Sequence, residues 1–191
     1  MFPGQGSQSV GMGSDLYKNF DLVKNIFKEA DQKLNYPISK IILEGPENQL
    51  KLTKNTQPAI MTISYSIFKL MTEEFNIQTK DIKYFAGHSL GEYSALVSVG
   101  SLNFQDALYL LHERGKSMQE AVPVGRGMMI AILGIKTDEV KNILKITEKK
   151  EGVCEIANDN AEGQVIVSGN KERVESLQKI LKEKNIKSIP L

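Results

Sequence analysis

The sequence holds one cysteine, Cys154, among 191 residues. A lone thiol cannot close an internal disulfide, and it cannot build a zinc site of the multi-cysteine kind. Neither sign of charge is in excess. The 24 Lys and Arg stand against 23 Asp and Glu, leaving a formal net charge of +1. So even a balance advertises no nucleic-acid partner and no anionic membrane surface. Long hydrophobic runs are missing too. The longest is Met128 to Leu133, far short of the roughly 18 apolar residues of a membrane span. Only His88 and His112 supply imidazole, and no His, Cys, Asp and Glu cluster has metal-ligand spacing. No bound metal or cofactor is expected. The chain does not open on a signal-peptide pattern, so a reducing cytoplasm is the expected compartment.

Two phosphate motifs fail. Gly115-Lys116-Ser117 ends like a P-loop, but Leu110 stands where the first glycine belongs. Gly4-Gln5-Gly6 lacks the third glycine of a dinucleotide fingerprint, because Ser9 stands there. Glu73-Glu74 and Lys149-Lys150-Glu151 read as solvated faces.

What is present is ordinary for a globular protein: 41% apolar and 25% charged residues. Such a chain buries a sizeable core in one to two domains. Residues 21–34 read as a helix, with Leu22, Ile26, Ala30 and Leu34 at helical spacing. Residues 38–43 and 46–52 are short helices around the Gly45-Pro46 break. Residues 56–75 form a long apolar helix, with Thr56 as N-cap and Pro58 in the first turn. So much apolar surface predicts burial on several sides. A strand over 82–86 runs into Gly87-His88-Ser89-Leu90-Gly91. Helices follow over 90–99 and 104–121. From Met128 the order becomes β-α-β-β-α-β, with strands over 128–133, 153–157, 164–168 and 187–189. The helices between them cover 138–146 and 171–184. That order is the signature of a ferredoxin-like unit. The boundary is placed near Pro123, with a helix-rich α/β part over 1–122 and a small α+β part over 123–191.

Gly87-His88-Ser89-Leu90-Gly91 matches G-x-S-x-G, a weak string on its own. Its context, strand before and helix after, is what a nucleophile elbow requires. The glycines flank a sharp turn where a Cβ would clash. The Leu90 N–H would then open the helix and face any oxyanion at Ser89. The competing reading is a serine N-cap after a glycine turn. A hydroxyl needs a base, and neither histidine supplies one by spacing. His88 adjoins Ser89, but adjacent side chains diverge. His112 reads as a surface or half-buried histidine.

Phe104, Ala107, Leu108, Leu111, Arg114, Gly115 and Met118 share one helix face. Arg114 therefore lies on an apolar stripe. One reading is an ion pair with an internal carboxylate, or a side chain that reaches out to solvent. The other is a bidentate clamp for a substrate carboxylate.

Taken together, several segments resemble the malonyl-coenzyme A:acyl carrier protein transacylases of fatty-acid synthesis. They are Phe2-Pro3-Gly4-Gln5-Gly6-Ser7-Gln8, Thr56-Gln57-Pro58-Ala59, Gly87-His88-Ser89-Leu90-Gly91-Glu92-Tyr93, Arg114-Gly115 with Met118-Gln119, and Asn158-x-Asn160 with Gly163-Gln164-Val165. Their order and spacing hold from residue 2 to residue 191. The resemblance implies an α/β-hydrolase-like large subdomain, here incomplete, with a ferredoxin-like small one. It implies a ping-pong reaction in which Ser89 takes malonyl from coenzyme A and passes it to the phosphopantetheine thiol of acyl carrier protein. It implies an oxyanion hole from the backbone N–H groups of Gln5 and Leu90, and Arg114 on the free carboxylate of malonate. Leu90 after the serine fits malonyl selection. Coenzyme A enters as a thioester substrate, and the enzyme is expected to act as a monomer. Gln57, His88, Asn158 and Asn160 are candidates for the cleft. For Gln57 the alternative is a local hydrogen-bond partner, and for the asparagines turn and strand contacts. The family's catalytic histidine follows a P-L-P-V-S-type stretch, and this chain stops at Ile189-Pro190-Leu191. It reads as truncated at both ends. A serine esterase or thioesterase with the same elbow, or a catalytically incomplete fragment, are the other readings.

Overall fold

The computed structural model describes residues 1–122, 125–147 and 152–191. The expected boundary residue Pro123 and the run Lys149-Lys150-Glu151 lie outside the described residues. Two compact units are found, Met1–Ala121 and Val122–Leu191.

The first unit is built from α1 (Ser14–Asn19), α2 (Asp21–Leu34), α3 (Ile38–Glu44), α4 (Glu47–Leu50), α5 (Thr53–Lys69), α6 (Leu90–Ser98) and α7 (Phe104–Ala121). In α2 the residues Val23, Ile26, Phe27 and Ala30 recur at helical spacing and are all buried. They share one core with Ile38, Ile42, Leu108 and Leu111, which is why an amphipathic stripe folds here. Asn35, with φ of 57°, ends α2 in the left-handed region. Asp31 ties that end to α3. One carboxylate oxygen accepts the Ser39 N–H at 2.8 Å, and the other accepts the Ser39 hydroxyl at 2.5 Å. The first bond satisfies one of the donors that a helix start leaves free. Asp31→Ala is therefore expected to lower stability by about 1–2 kcal/mol. Urea unfolding checks this, and an unchanged midpoint would contradict it.

Two expectations for α5 are corrected. Thr56 is not its N-cap, because the helix starts at Thr53 after Leu52. The Thr56 hydroxyl folds back onto the Leu50 carbonyl at 2.6 Å and the Leu52 carbonyl at 3.2 Å. Pro58 is likewise inside the helix, and the α-helix gives way at Leu70 to a π turn, Leu70–Glu74. Pro58 has no N–H for the Lys54 carbonyl one turn back. His112 stands there instead, with Nδ1 3.2 Å from that oxygen. The Tyr36 hydroxyl lies 3.3 Å from the same nitrogen. Thr62 and Ser66 donate to the Pro58 and Thr62 carbonyls at 2.8 and 2.7 Å. These inward bonds let a helix with polar residues be buried on several sides.

Residues 82–86 do not form the expected strand. Among the described residues the bridge at their end is an isolated parallel one, Phe2 with Gly87, and the Phe2 N–H donates to the Ala86 carbonyl at 2.8 Å. Alternating apolar residues favour extended backbone, but a strand is completed by its ladder.

The second unit runs β1 (Gly127–Leu133), α8 (Thr137–Thr147), β2 (Cys154–Ala161), β3 (Gln164–Asn170), α9 (Lys171–Glu183) and β4 (Lys187–Pro190). Its antiparallel sheet has the order β2-β3-β1-β4, with Ile130 opposite Val167 and Ala131 opposite Ile189. Ile130, Ile132, Val165 and Val167 share a core with Val140, Val174 and Leu177 of the helices. The two-residue period selects that face. Cys154 is buried, and burial pushes its thiol pKa up. Among the described residues no helix is long and apolar enough to cross a membrane.

Candidate functional site

Ser89 sits in a tight turn of the first unit, immediately before α6. Its backbone has φ 55° and ψ −112°. A residue with a Cβ rarely adopts this conformation, which costs on the order of 1–3 kcal/mol. The neighbours enforce it. A Cβ added at Gly87 would lie 1.9 Å from the Gly91 carbonyl carbon and oxygen. One added at Gly91 would lie 2.5 Å from the Phe2 carbonyl oxygen. Bare backbone therefore packs on both sides of the serine. The turn is closed by Gly91 N–H on the His88 carbonyl at 2.9 Å and Glu92 N–H on the Ser89 carbonyl at 3.1 Å.

The N-terminal segment runs along this turn. The His88 N–H donates to the Phe2 carbonyl at 3.4 Å. Gly4 lies against the His88 side chain, where an added Cβ would be 2.8 Å from Nδ1. That places the next residue, Gln5, in the loop beside the serine turn. Leu90 is the first residue of α6, and its side chain is buried. Its N–H belongs to the helix's first turn, where amide donors lack helical acceptors and the dipole is positive.

Ser89 itself is exposed. Arg114 of α7 reaches it, and Nη2 donates to Ser89 Oγ at 3.0 Å. Nη1 of the same guanidinium donates to Gln57 Oε1 at 2.7 Å. No carboxylate pairs with Arg114 among the described residues. Among the described residues the ion-pair reading of Arg114 therefore finds no partner, and the half-buried side chain keeps some access to solvent. Gln57 is fully buried in α5. Its Nε2 faces the Met118 sulfur at 3.4 Å, and its carbonyl must face the guanidinium, which has only donors. Gly115 makes this approach of α5 and α7 possible, since a Cβ there would lie 2.5 Å from the Thr53 carbonyl oxygen.

The structure thus brings Ser89, Leu90, Arg114 and Gln57 together. His112 faces another side of α7, towards Tyr36 and Lys54. Asn158 and Asn160 are exposed on β2 of the second unit. Asn158 pairs with Ile166, and Asn160 falls in an irregularity between Asp159 and Ala161. The bond from Gln57 to Arg114 was missed by sequence reasoning. Its faint signal is Met118, one helical turn beyond Arg114 on the same stripe. A hollow of about 380 Å³ beside the N-terminus is lined mainly by apolar groups such as Phe2, Ile60, Ile63 and Phe68. It includes neither Ser89 nor Arg114.

Chemically, the arrangement offers an exposed hydroxyl at a helix N-terminus beside a fixed cation. The cation is held by a neutral group, so its charge is free for an anion.

The acyl transferase domain family matches residues 1–189. A malonyl CoA-acyl carrier protein transacylase of Bacillus subtilis is 42% identical over all of this chain, which spans 59% of that relative. One of Haemophilus influenzae is 43% identical, and the chain spans 61% of it. The crystal structure of an acyl-carrier-protein-S-malonyltransferase from Bartonella henselae superposes with a TM-score of 0.92 at 42% identity, covering all of this chain and 60% of that one. A malonyl-transacylase solved in complex with a type II PKS acyl-carrier protein gives a TM-score of 0.90 at 39% identity, again covering all of this chain and 60% of that one.

Proposed function

Because the chain belongs to the acyl transferase domain family, we propose that it carries the acylated serine of a malonyl transferase. Malonyl passes from coenzyme A to Ser89, then to the phosphopantetheine thiol of acyl carrier protein. In the first half, Ser89 Oγ attacks the thioester carbonyl, an ester C–O bond forms and the C–S bond breaks. Coenzyme A leaves as the thiol. In the second half the carrier thiol attacks the ester carbonyl, a new C–S bond forms, the ester C–O bond breaks and Ser89 Oγ takes up a proton. The family resemblance assigns the base that moves these protons to a histidine with no counterpart among these residues.

The observation that carries this reading is the 3.0 Å bond between Arg114 and Ser89. A malonyl group on the serine oxygen has a free carboxylate within a few atoms, and the guanidinium is within reach of it. Support for a nucleophile elbow comes from the strained Ser89 backbone and its flanking glycines. The N–H groups of Gln5 and Leu90 are proposed as the oxyanion hole, because both lie in segments that border the turn. The first unit is read as an α/β-hydrolase-like subdomain over 1–122, and the second as a ferredoxin-like one over 123–191. Strand order β2-β3-β1-β4 supports the latter.

The full-length protein, with that histidine present, is expected to yield malonyl-carrier rather than free malonate when given malonyl-coenzyme A and a carrier thiol. The full chain in the tests below is that protein. Free malonate as the main product would mean a hydrolase with the same turn. Arg114→Ala is expected to lower kcat/KM for malonyl transfer by about a hundredfold, the scale for removing one partner of a close charge pair. Preference should relax towards acetyl groups. Competing malonyl and acetyl thioesters measure this, and an unchanged preference would return Arg114 to a structural role.

A further inference from the structure

A guanidinium whose inner side packs against a buried helix face ordinarily draws a carboxylate there, which repays its lost hydration. Here the fully buried partner is Gln57, a residue with the shape of glutamate and none of its charge. The amide is oriented at both ends, by Arg114 on Oε1 at 2.7 Å and by Met118 on Nε2 at 3.4 Å. One nitrogen of the guanidinium is thereby anchored, and the other is turned to Ser89 at 3.0 Å. A glutamate at this place would bind Arg114 more tightly, yet it would neutralise the cation and repel a second carboxylate. Fold stability and anion affinity therefore ask for different residues, and the amide serves affinity.

We propose that Gln57 is a positioning and selectivity residue: its neutral carbonyl aims Arg114 at Ser89 while leaving the guanidinium charge uncompensated for the carboxylate of the acyl group. This rests on the malonyl-transfer reading above. Gln57 touches neither Ser89 nor the acyl group in this argument, and it acts through Arg114.

The test compares the full chain with Gln57→Glu and Gln57→Met, measuring kcat and KM for malonyl- and acetyl-coenzyme A together with Tm. For Gln57→Glu the Tm should be equal or higher. The malonyl KM should rise by about a hundredfold, the scale of a close charge pair, with a smaller change in kcat. The ratio of malonyl to acetyl transfer should fall accordingly, and it should recover as the pH is lowered and the introduced carboxyl takes a proton. For Gln57→Met, which keeps volume but removes the acceptor, the malonyl KM should rise by about tenfold. A Gln57→Glu variant that gains Tm and keeps its malonyl preference overturns the proposal. So does an unchanged malonyl KM in Gln57→Met, which decides the matter if the glutamate variant fails to fold. The wild-type chain is assayed first. Absence of malonyl on its Ser89 overturns the function reading itself, a result distinct from any difference among the variants.

Discussion

Incubated with labelled malonyl-coenzyme A, a Ser89→Ala variant of the full chain is expected to retain no covalent label. Transfer to a carrier thiol should fall by about 10⁴-fold or more, as when a covalent nucleophile is removed elsewhere. The loss should be chemical rather than structural. Ser89 is exposed, and its described side-chain bond is the one it accepts from Arg114. Alanine keeps the Cβ and the backbone strain, so Tm should stay close to that of the wild type. A Ser89→Gly change sharpens the point. Glycine adopts the φ of 55° without a Cβ penalty, so it should gain about 1 kcal/mol of stability while losing the same activity. Label that persists in Ser89→Ala would place the acyl group on another residue.

The second large effect is on the turn itself. Gly87→Ala would place a methyl group 1.9 Å from the Gly91 carbonyl and 2.4 Å from the Glu92 nitrogen. Those atoms are backbone and belong to the first turn of α6, so no flexible side chain can yield. The turn must open, at a cost of about 4 kcal/mol or more. That is a large part of the 5–15 kcal/mol that holds a typical domain together. The expected result is a protein that accumulates poorly, or one that folds with Ser89 displaced and unacylated. Gly100→Ala is the control. Nothing lies within 4 Å of a Cβ there, although its φ is +78°, and the cost should be only about 1 kcal/mol. A Tm for Gly87→Ala within a few degrees of wild type would contradict the packing described around Ser89.

Much of this was legible in the sequence where the physics is local. The stripe in α2 gave both ends of that helix, and the helix read over 104–121 has the bounds of α7. In the second unit, switching apolar periods gave the strand and helix order. The errors arose where distant groups decide. Thr56 looks like a cap, but its hydroxyl turns back to Leu50, a choice invisible in a propensity. Residues 82–86 have strand composition, yet pairing depends on neighbours that spacing does not name. Helix α1 has no buried residue and so left no periodic trace. At the site, the string around Ser89 was readable because glycines mark close backbone contact. Arg114 stood out as a charge on an apolar face. Its partner did not, because Gln57 meets it across the packing of α5 on α7.

The central claim is that a cation fixed beside the serine oxygen selects acyl groups ending in a carboxylate. The most direct test offers the full chain equal amounts of malonyl- and acetyl-coenzyme A and weighs the peptide that contains Ser89. A peptide heavier by one malonyl group, with little acetyl product, is the expected result, and Arg114→Ala should shift the balance towards acetyl. Equal malonyl and acetyl on Ser89 in the wild type, or acyl groups carried only by other peptides, would contradict it.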